Sequence, residues 1–88
     1  MKGNGFTVFV MEDGSVRAKG KNNVGQLGNG TYTDSIGETR VKGINGVRAI
    51  SIKEDHVVVV KKDNSVWVWG NHPLCDTKGC SNPKRIQQ

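Results

Sequence analysis

Two stretches decide the fold: Phe6 to Gly20, FTVFVMEDGSVRAKG, and His56 to Gly70, HVVVVKKDNSVWVWG. Laid together without gaps, Val8 falls on Val58, Val10 on Val60, Asp13 on Asp63, Ser15 on Ser65, Val16 on Val66 and Gly20 on Gly70. The offset is 50 residues throughout. A fixed period of that size is the mark of a repeat architecture, in which one supersecondary unit recurs. Each copy is itself a hairpin signal: an apolar run, a polar pair (Asp13-Gly14 or Asp63-Asn64), then a second alternating run. The pair is expected to form a two-residue primed turn, which needs positive φ and so favours Gly and Asn.

Working outward, Val57-Val58-Val59-Val60 is apolar at every position, as expected of a strand covered on both faces. Val47-Arg48-Ala49-Ile50-Ser51-Ile52 alternates like a strand. Between the hairpins runs the glycine-rich Gly25-Gln26-Leu27-Gly28-Asn29-Gly30, with Leu27 at its centre. Thr31 to Thr39 is polar and is expected to be irregular, and Arg40 to Ile44 to be a strand end or turn. No window carries a helical period. The fold class expected is all-β, a set of antiparallel hairpins.

Composition fits that reading. Glycine contributes 12 of 88 residues, against roughly 7% in average proteins. Proline contributes only 2, which suits tight turns better than a disordered tail. Hydrophobic residues make up 34% and aromatics 6%, so the core is thin, and no apolar run nears the ~18 residues of a membrane-spanning helix. The N-terminus carries no apolar segment of secretory type, and the expectation is a cytoplasmic protein with no membrane partner. Thirteen Lys and Arg against eight Asp and Glu give a net charge of +5, with the basic residues scattered in singles and pairs. A nucleic-acid partner is therefore the weaker reading beside a solvated basic surface.

The residues resemble the repeat of the regulator of chromosome condensation family. The likeness rests on Gly20-Lys21-Asn22, on the Gly25 to Gly30 loop, on Gly46-Val47-Arg48-Ala49-Ile50, on His56, and on Asp63-Asn64-Ser65-Val66-Trp67-Val68-Trp69-Gly70. In that family each repeat of about fifty residues supplies a four-stranded blade, and about seven blades close a β-propeller. The resemblance thus implies about two propeller-like blades here, not a closed propeller within one chain. The chain is expected to be a single domain, 1–88. A first repeat occupies about 6–52 and lacks its opening strand. A second occupies about 53–88 with a shortened loop, 71–82. Where the second copy has Trp67 and Trp69, the first has Arg17 and Lys19. Those charges imply a wet outer face.

No catalytic constellation is present. Asp55-His56 has no placed nucleophile beside it, and the glycine-rich loop is not followed by the Gly-Lys-Ser/Thr of a phosphate-binding loop. The resemblance makes His56 a structural residue that ties a strand end to a turn. It also assigns Leu27 to the core between blades, Gly25 and Gly28 to loop geometry and Trp69 to the core. Trp67, Arg17, Lys19 and Tyr32 are the candidate partner-binding residues. No cofactor and no metal are expected. Cys75 and Cys80, with His72, would give three zinc ligands, the fourth falling to Asp76 or His56, and structural zinc favours other spacings. A loop disulfide is the stronger alternative, but two free thiols are expected in a reducing compartment. The functional expectation is a non-enzymatic protein-binding or assembly module, self-associating through exposed strand edges or completing a larger structure. An inhibitory binder of a host or partner enzyme is the alternative, and nucleic-acid binding the next.

Overall fold

Both repeated stretches fold as hairpins. The computed structural model describes residues 2–75 and 78–86. Among them are seven strands and no helix: β1 (Phe6–Val10), β2 (Val16–Gly20), β3 (Ser35–Arg40), β4 (Val47–Lys53), β5 (His56–Lys61), β6 (Val66–Gly70) and β7 (Cys80–Ile86). They form two antiparallel sheets, β1-β2-β3 and β4-β5-β6-β7, which do not close into a ring. The first hairpin runs in register from Phe6↔Gly20 to Val10↔Val16, and the second from His56↔Gly70 to Val60↔Val66. The repeat is therefore one of backbone pairing as well as of sequence. It extends to the third strand: the Val41 N–H donates to the Val16 carbonyl at 2.9 Å, and Ile86 pairs with Val66.

The sheets are out of step with the repeats counted from hairpin to hairpin. β4 follows the first hairpin in sequence but pairs with β5 in the second sheet. Beside β1, among the described residues, there is only an isolated bridge between Lys2 and Thr7.

Three expectations are corrected. The turns are not of the primed two-residue type. The Gly14 N–H donates to Met11 O at 2.9 Å and the Met11 N–H to Ser15 O at 2.8 Å, with the same pattern at Lys61, Asn64 and Ser65. Only Gly14 (φ +85°) and Asn64 (φ +68°) have positive φ in these turns, so each closes a three-residue loop on one left-handed residue. Thr31 to Thr39 is not wholly irregular, because β3 begins at Ser35. It is an edge strand held to β2 by its backbone, with a register break between Ala18 and Gly20. Its side chains are mostly exposed and leave no alternation to read. Finally, Cys75 and Cys80 are not free thiols but a disulfide. Their Cα atoms stand 5.5 Å apart, a separation ordinary for such bonds.

One core lies between the sheets. The first supplies Phe6, Val8, Val16 and Ala18, the second Val57, Val59 and Trp69, and the connecting segments Leu27, Val41 and Ile44. The strand residues among them alternate with residues turned outward, as pleated strands require. Ile50, Ile52 and Trp67 pack at its margin, half-buried.

Candidate functional site

The joint between the sheets is built by the glycine-rich loop. Trp69 is fully buried, and its indole N–H donates to the carbonyl of Gln26 at 2.8 Å. Leu27 is fully buried beside it in the same cluster. The chain can pass this close to the ring only because residue 28 is glycine. A Cβ there would stand 2.9 Å from both Trp69 Cδ1 and Val41 Cγ1, and φ is +59°. Gln26 is held in turn, its Oε1 accepting from the Val24 N–H and its Nε2 donating to Asn23 Oδ1, each at 3.0 Å.

Asn22 anchors the loop as a whole. It is fully buried, and its Oδ1 accepts the Leu27 N–H at 2.9 Å. Its Nδ2 donates to the carbonyls of Thr31 at 2.9 Å and Thr33 at 3.0 Å, and its own N–H bonds Asp34 Oδ1 at 2.7 Å. Sequence reasoning quoted Asn22 within a pattern and gave it no task. The signal lay in its place two residues after a strand-ending glycine, where an amide can cross-tie a loop that has no ladder of its own.

The second loop is different. The disulfide closes it, and its backbone turns back onto the first loop. Ser81 O accepts the Gly30 N–H at 2.8 Å, and a Cβ on Gly25 would strike the Cys80 carbonyl. Tyr32 joins this contact: its hydroxyl donates to Gly79 O at 2.9 Å, while its ring lies 5.3 Å from the Lys78 ammonium. Both sulfurs are spent in the disulfide and Asp76 lies outside the described residues, so the zinc reading has no support. Among the described residues no group of three or more His, Cys, Asp or Glu is placed to hold a metal.

The four candidate contact residues do not form one surface. Arg17 and Lys19 stand together, exposed, on the face of the first sheet turned away from the core, with the Lys19 ammonium 5.8 Å from the Phe9 ring. A cavity of about 370 Å³ adjoins Lys19 but not Arg17, and Thr7, Asp34 and the fully exposed Ile36 also line it. Trp67 lies on the opposite, inner side of the stack. It is half-buried, its indole N–H donates to Ser65 Oγ at 2.9 Å, and the Lys61 ammonium lies 5.2 Å from its ring. Tyr32 belongs to the loop contact. His56 opens β5, half-buried, with its ring edge-on to that of His72 at 5.0 Å.

The outer face of the second sheet carries Val58, Val60, Val66, Val68 and Ile86, together with His56 and with Lys84, which lies opposite Val68. Pairing Val58↔Val68 and Val60↔Val66↔Ile86 sets the five apolar residues side by side. Val68 is shielded at the centre; the other four keep partial exposure, and none of the five belongs to the core cluster.

Among the described residues, three groups titrate away from their ordinary values. Ser15 hydroxyl and backbone bonds hold the Asp13 carboxyl below 3.8, and Ser65 does the same for Asp63. Burial, and then the neighbouring His56, lower His72 below 6.5.

Comparison with known proteins places this geometry. Residues 47–73 match the regulator of chromosome condensation (RCC1) repeat. The human E3 ubiquitin-protein ligase HERC2 is 24% identical over 95 residues, covering 98% of this chain and 2% of that protein. The Ultraviolet-B receptor UVR8 of Arabidopsis thaliana is 29% identical over 70 residues, covering 77% of this chain and 16% of the receptor. Two solved structures share the fold. Human WBSCR16 superposes with a TM-score of 0.86 at 23% identity, covering 98% of this chain and 24% of that one. Prp20p of Saccharomyces cerevisiae, studied for its binding to Gsp1p and histones, gives 0.81 at 24% identity, covering 98% and 22%. The chain thus spans less than a quarter of each of these proteins.

Proposed function

We propose that this chain, which carries repeats of the regulator of chromosome condensation family, is a non-catalytic protein-binding or assembly module. It either associates with itself or completes a larger propeller-type structure. One observation carries the reading: the two sheets are stacked face to face, and the stack ends on both sides in a sheet face that the core does not use. Stacked repeats bury their apolar surface only against a neighbour, so a two-member stack leaves surface that a neighbour would cover. Yeast RCC1 (Prp20) has been solved bound to another protein, Kap60, which supports a protein partner for this scaffold. Scaffold likeness does not pass on a partner's identity, since function sits in the loops and faces that differ.

Light scattering over a rising concentration series tests the reading, combined with mass measurement after mixing with isolated propeller blades. A mass above 9.6 kDa, alone or in a mixture, is the expected result. A monomer under every one of these conditions would remove it.

A further inference from the structure

We infer that Asn45-Gly46, in the connection between β3 and β4, is a self-modification site: the asparagine closes onto the next amide, loses ammonia and reopens as aspartate or isoaspartate. The inference stands apart from the proposed assembly role.

The chain holds three Asn-Gly pairs, Asn4-Gly5, Asn29-Gly30 and Asn45-Gly46. Glycine after asparagine leaves the attacking nitrogen unshielded, because it carries no Cβ. The fold then treats the pairs differently. At Asn29-Gly30 both reacting groups are engaged. Asn29 Oδ1 accepts the Thr31 N–H at 3.1 Å and the Thr31 hydroxyl at 2.8 Å, and its Nδ2 donates to Thr39 Oγ1 at 3.3 Å. The Gly30 N–H donates to Ser81 O at 2.8 Å. At Asn45-Gly46 neither group is held. Asn45 is exposed, and among the described residues neither its side chain, its carbonyl nor the Gly46 N–H makes a hydrogen bond.

The surroundings favour the reaction. A cavity of about 220 Å³ at this pair is lined also by Lys61, Lys62 and Asp63. The two cations favour the amide anion that attacks and the carboxylate that results. The Asp63 carboxylate opposes them less, because it already accepts from the Ser65 hydroxyl and N–H. The step balances without oxidant or reductant. The Gly46 nitrogen gives its proton to solvent base and bonds to Asn45 Cγ; the Cγ–Nδ2 bond breaks, and the side-chain nitrogen leaves as ammonia. Water then opens the cyclic imide. Opening at Cγ restores the main chain as aspartate. Opening at the backbone carbonyl routes the chain through the side chain as isoaspartate, longer by a methylene.

Position gives the change a consequence. Gly46 O accepts the Lys62 N–H at 2.8 Å, and a Cβ on Gly14 would stand 2.8 Å from Gly46 N, so the turns of both hairpins converge on this residue. The added methylene of isoaspartate displaces Gly46 O from Lys62.

Ageing the protein at mildly alkaline pH, then tryptic digestion and mass spectrometry, tests the inference. Residues 43–48 form a tryptic peptide whose one asparagine is Asn45, and residues 22–40 carry Asn29, which fragment ions separate from Asn22 and Asn23. The folded protein should convert at Asn45 and at the exposed Asn4, and about tenfold or more slowly at Asn29, where hydrogen bonds must open first. In guanidinium chloride all three should convert at similar rates. Asn45 as slow as Asn29 in the folded protein overturns the inference, as does a difference between them that persists unchanged in denaturant. The Lys62 amide should lose its exchange protection in the isoaspartate form and keep it in Asn45→Asp, which has the carboxylate without the added methylene. Protection retained in both, or lost in both, overturns the backbone consequence.

Discussion

In β2, Val16-Arg17-Ala18-Lys19-Gly20, the valine and alanine are buried and the two cations stand in water. In β6, Val66-Trp67-Val68-Trp69-Gly70, the alternate pair is aromatic, and Trp69 is sealed into the joint while Trp67 sits half-buried at its rim. The two strands hold the same place in the same hairpin and pair in the same register. Their backbones do not differ; their neighbours do. β6 turns its tryptophans toward the first sheet and the glycine-rich loop, whereas the matching face of β2 meets no sheet. The comparison shows that the hairpin specifies geometry and the alternate positions specify what it stacks on.

Breaking the joint has the largest expected effect. Trp69→Ala should cost about 3–5 kcal/mol in urea denaturation, as loss of a large core aromatic does. Lys19→Ala, at the matching position in β2, should stay within about 0.5 kcal/mol. If the two cost the same, the strands are not distinguished by burial. Asn22→Ala comes next, at roughly 1–3 kcal/mol, because it strands the Leu27 N–H and two threonine carbonyls in the loop that grips Trp69. Replacing Cys75 and Cys80 with serine should cost about 2 kcal/mol, the scale for closing a short loop in the chain-entropy account. That loss should fall on the second loop and its contact with Tyr32, read as faster amide exchange there than around Asn22.

Acid gives the smallest and most graded effect. Asp13 and Asp63 are held below the ordinary 3.8, so the fold prefers their ionised forms. Their contribution is present above about pH 3.8 and fades as pH falls through the folded values. His72 is held below 6.5, so the fold prefers its neutral form, and that contribution fades as pH falls below about 6.5. Melting temperature should therefore decline in two stages on acidification. His72→Gln should remove the upper stage and Asp63→Asn should weaken the lower; a single stage unchanged by either substitution would contradict these assignments.

The hairpins, the all-β class and the unclosed pair of blades were legible because a repeated sequence is a repeated set of pleat positions. β3 was not, because an edge strand bound through its backbone and exposed at its side chains carries no hydrophobic period. The turn type was misread because Asp-Gly and Asp-Asn suit two loop lengths, and backbone bonds at Met11 and Lys61 select the longer. The cysteines were misread because a compartment inferred from the N-terminus outweighed a spacing that brings their Cα atoms to 5.5 Å. Of the contact candidates, Arg17 and Lys19 lie together, but the sequence had no means to place Trp67 and Tyr32 elsewhere, since that separation depends on how the two sheets stack.

The joint itself can be read from two protons. Trp67 and Trp69 are the only tryptophans, so the protein has two indole N–H resonances. Hydrogen exchange of both, followed by NMR, tests whether the glycine-rich loop holds the second blade through Trp69. The Trp69 proton, bonded to the buried Gln26 carbonyl, should exchange only with global unfolding, and the Trp67 proton, bonded to Ser65 Oγ at the rim, far faster. Fast exchange of both would contradict the joint.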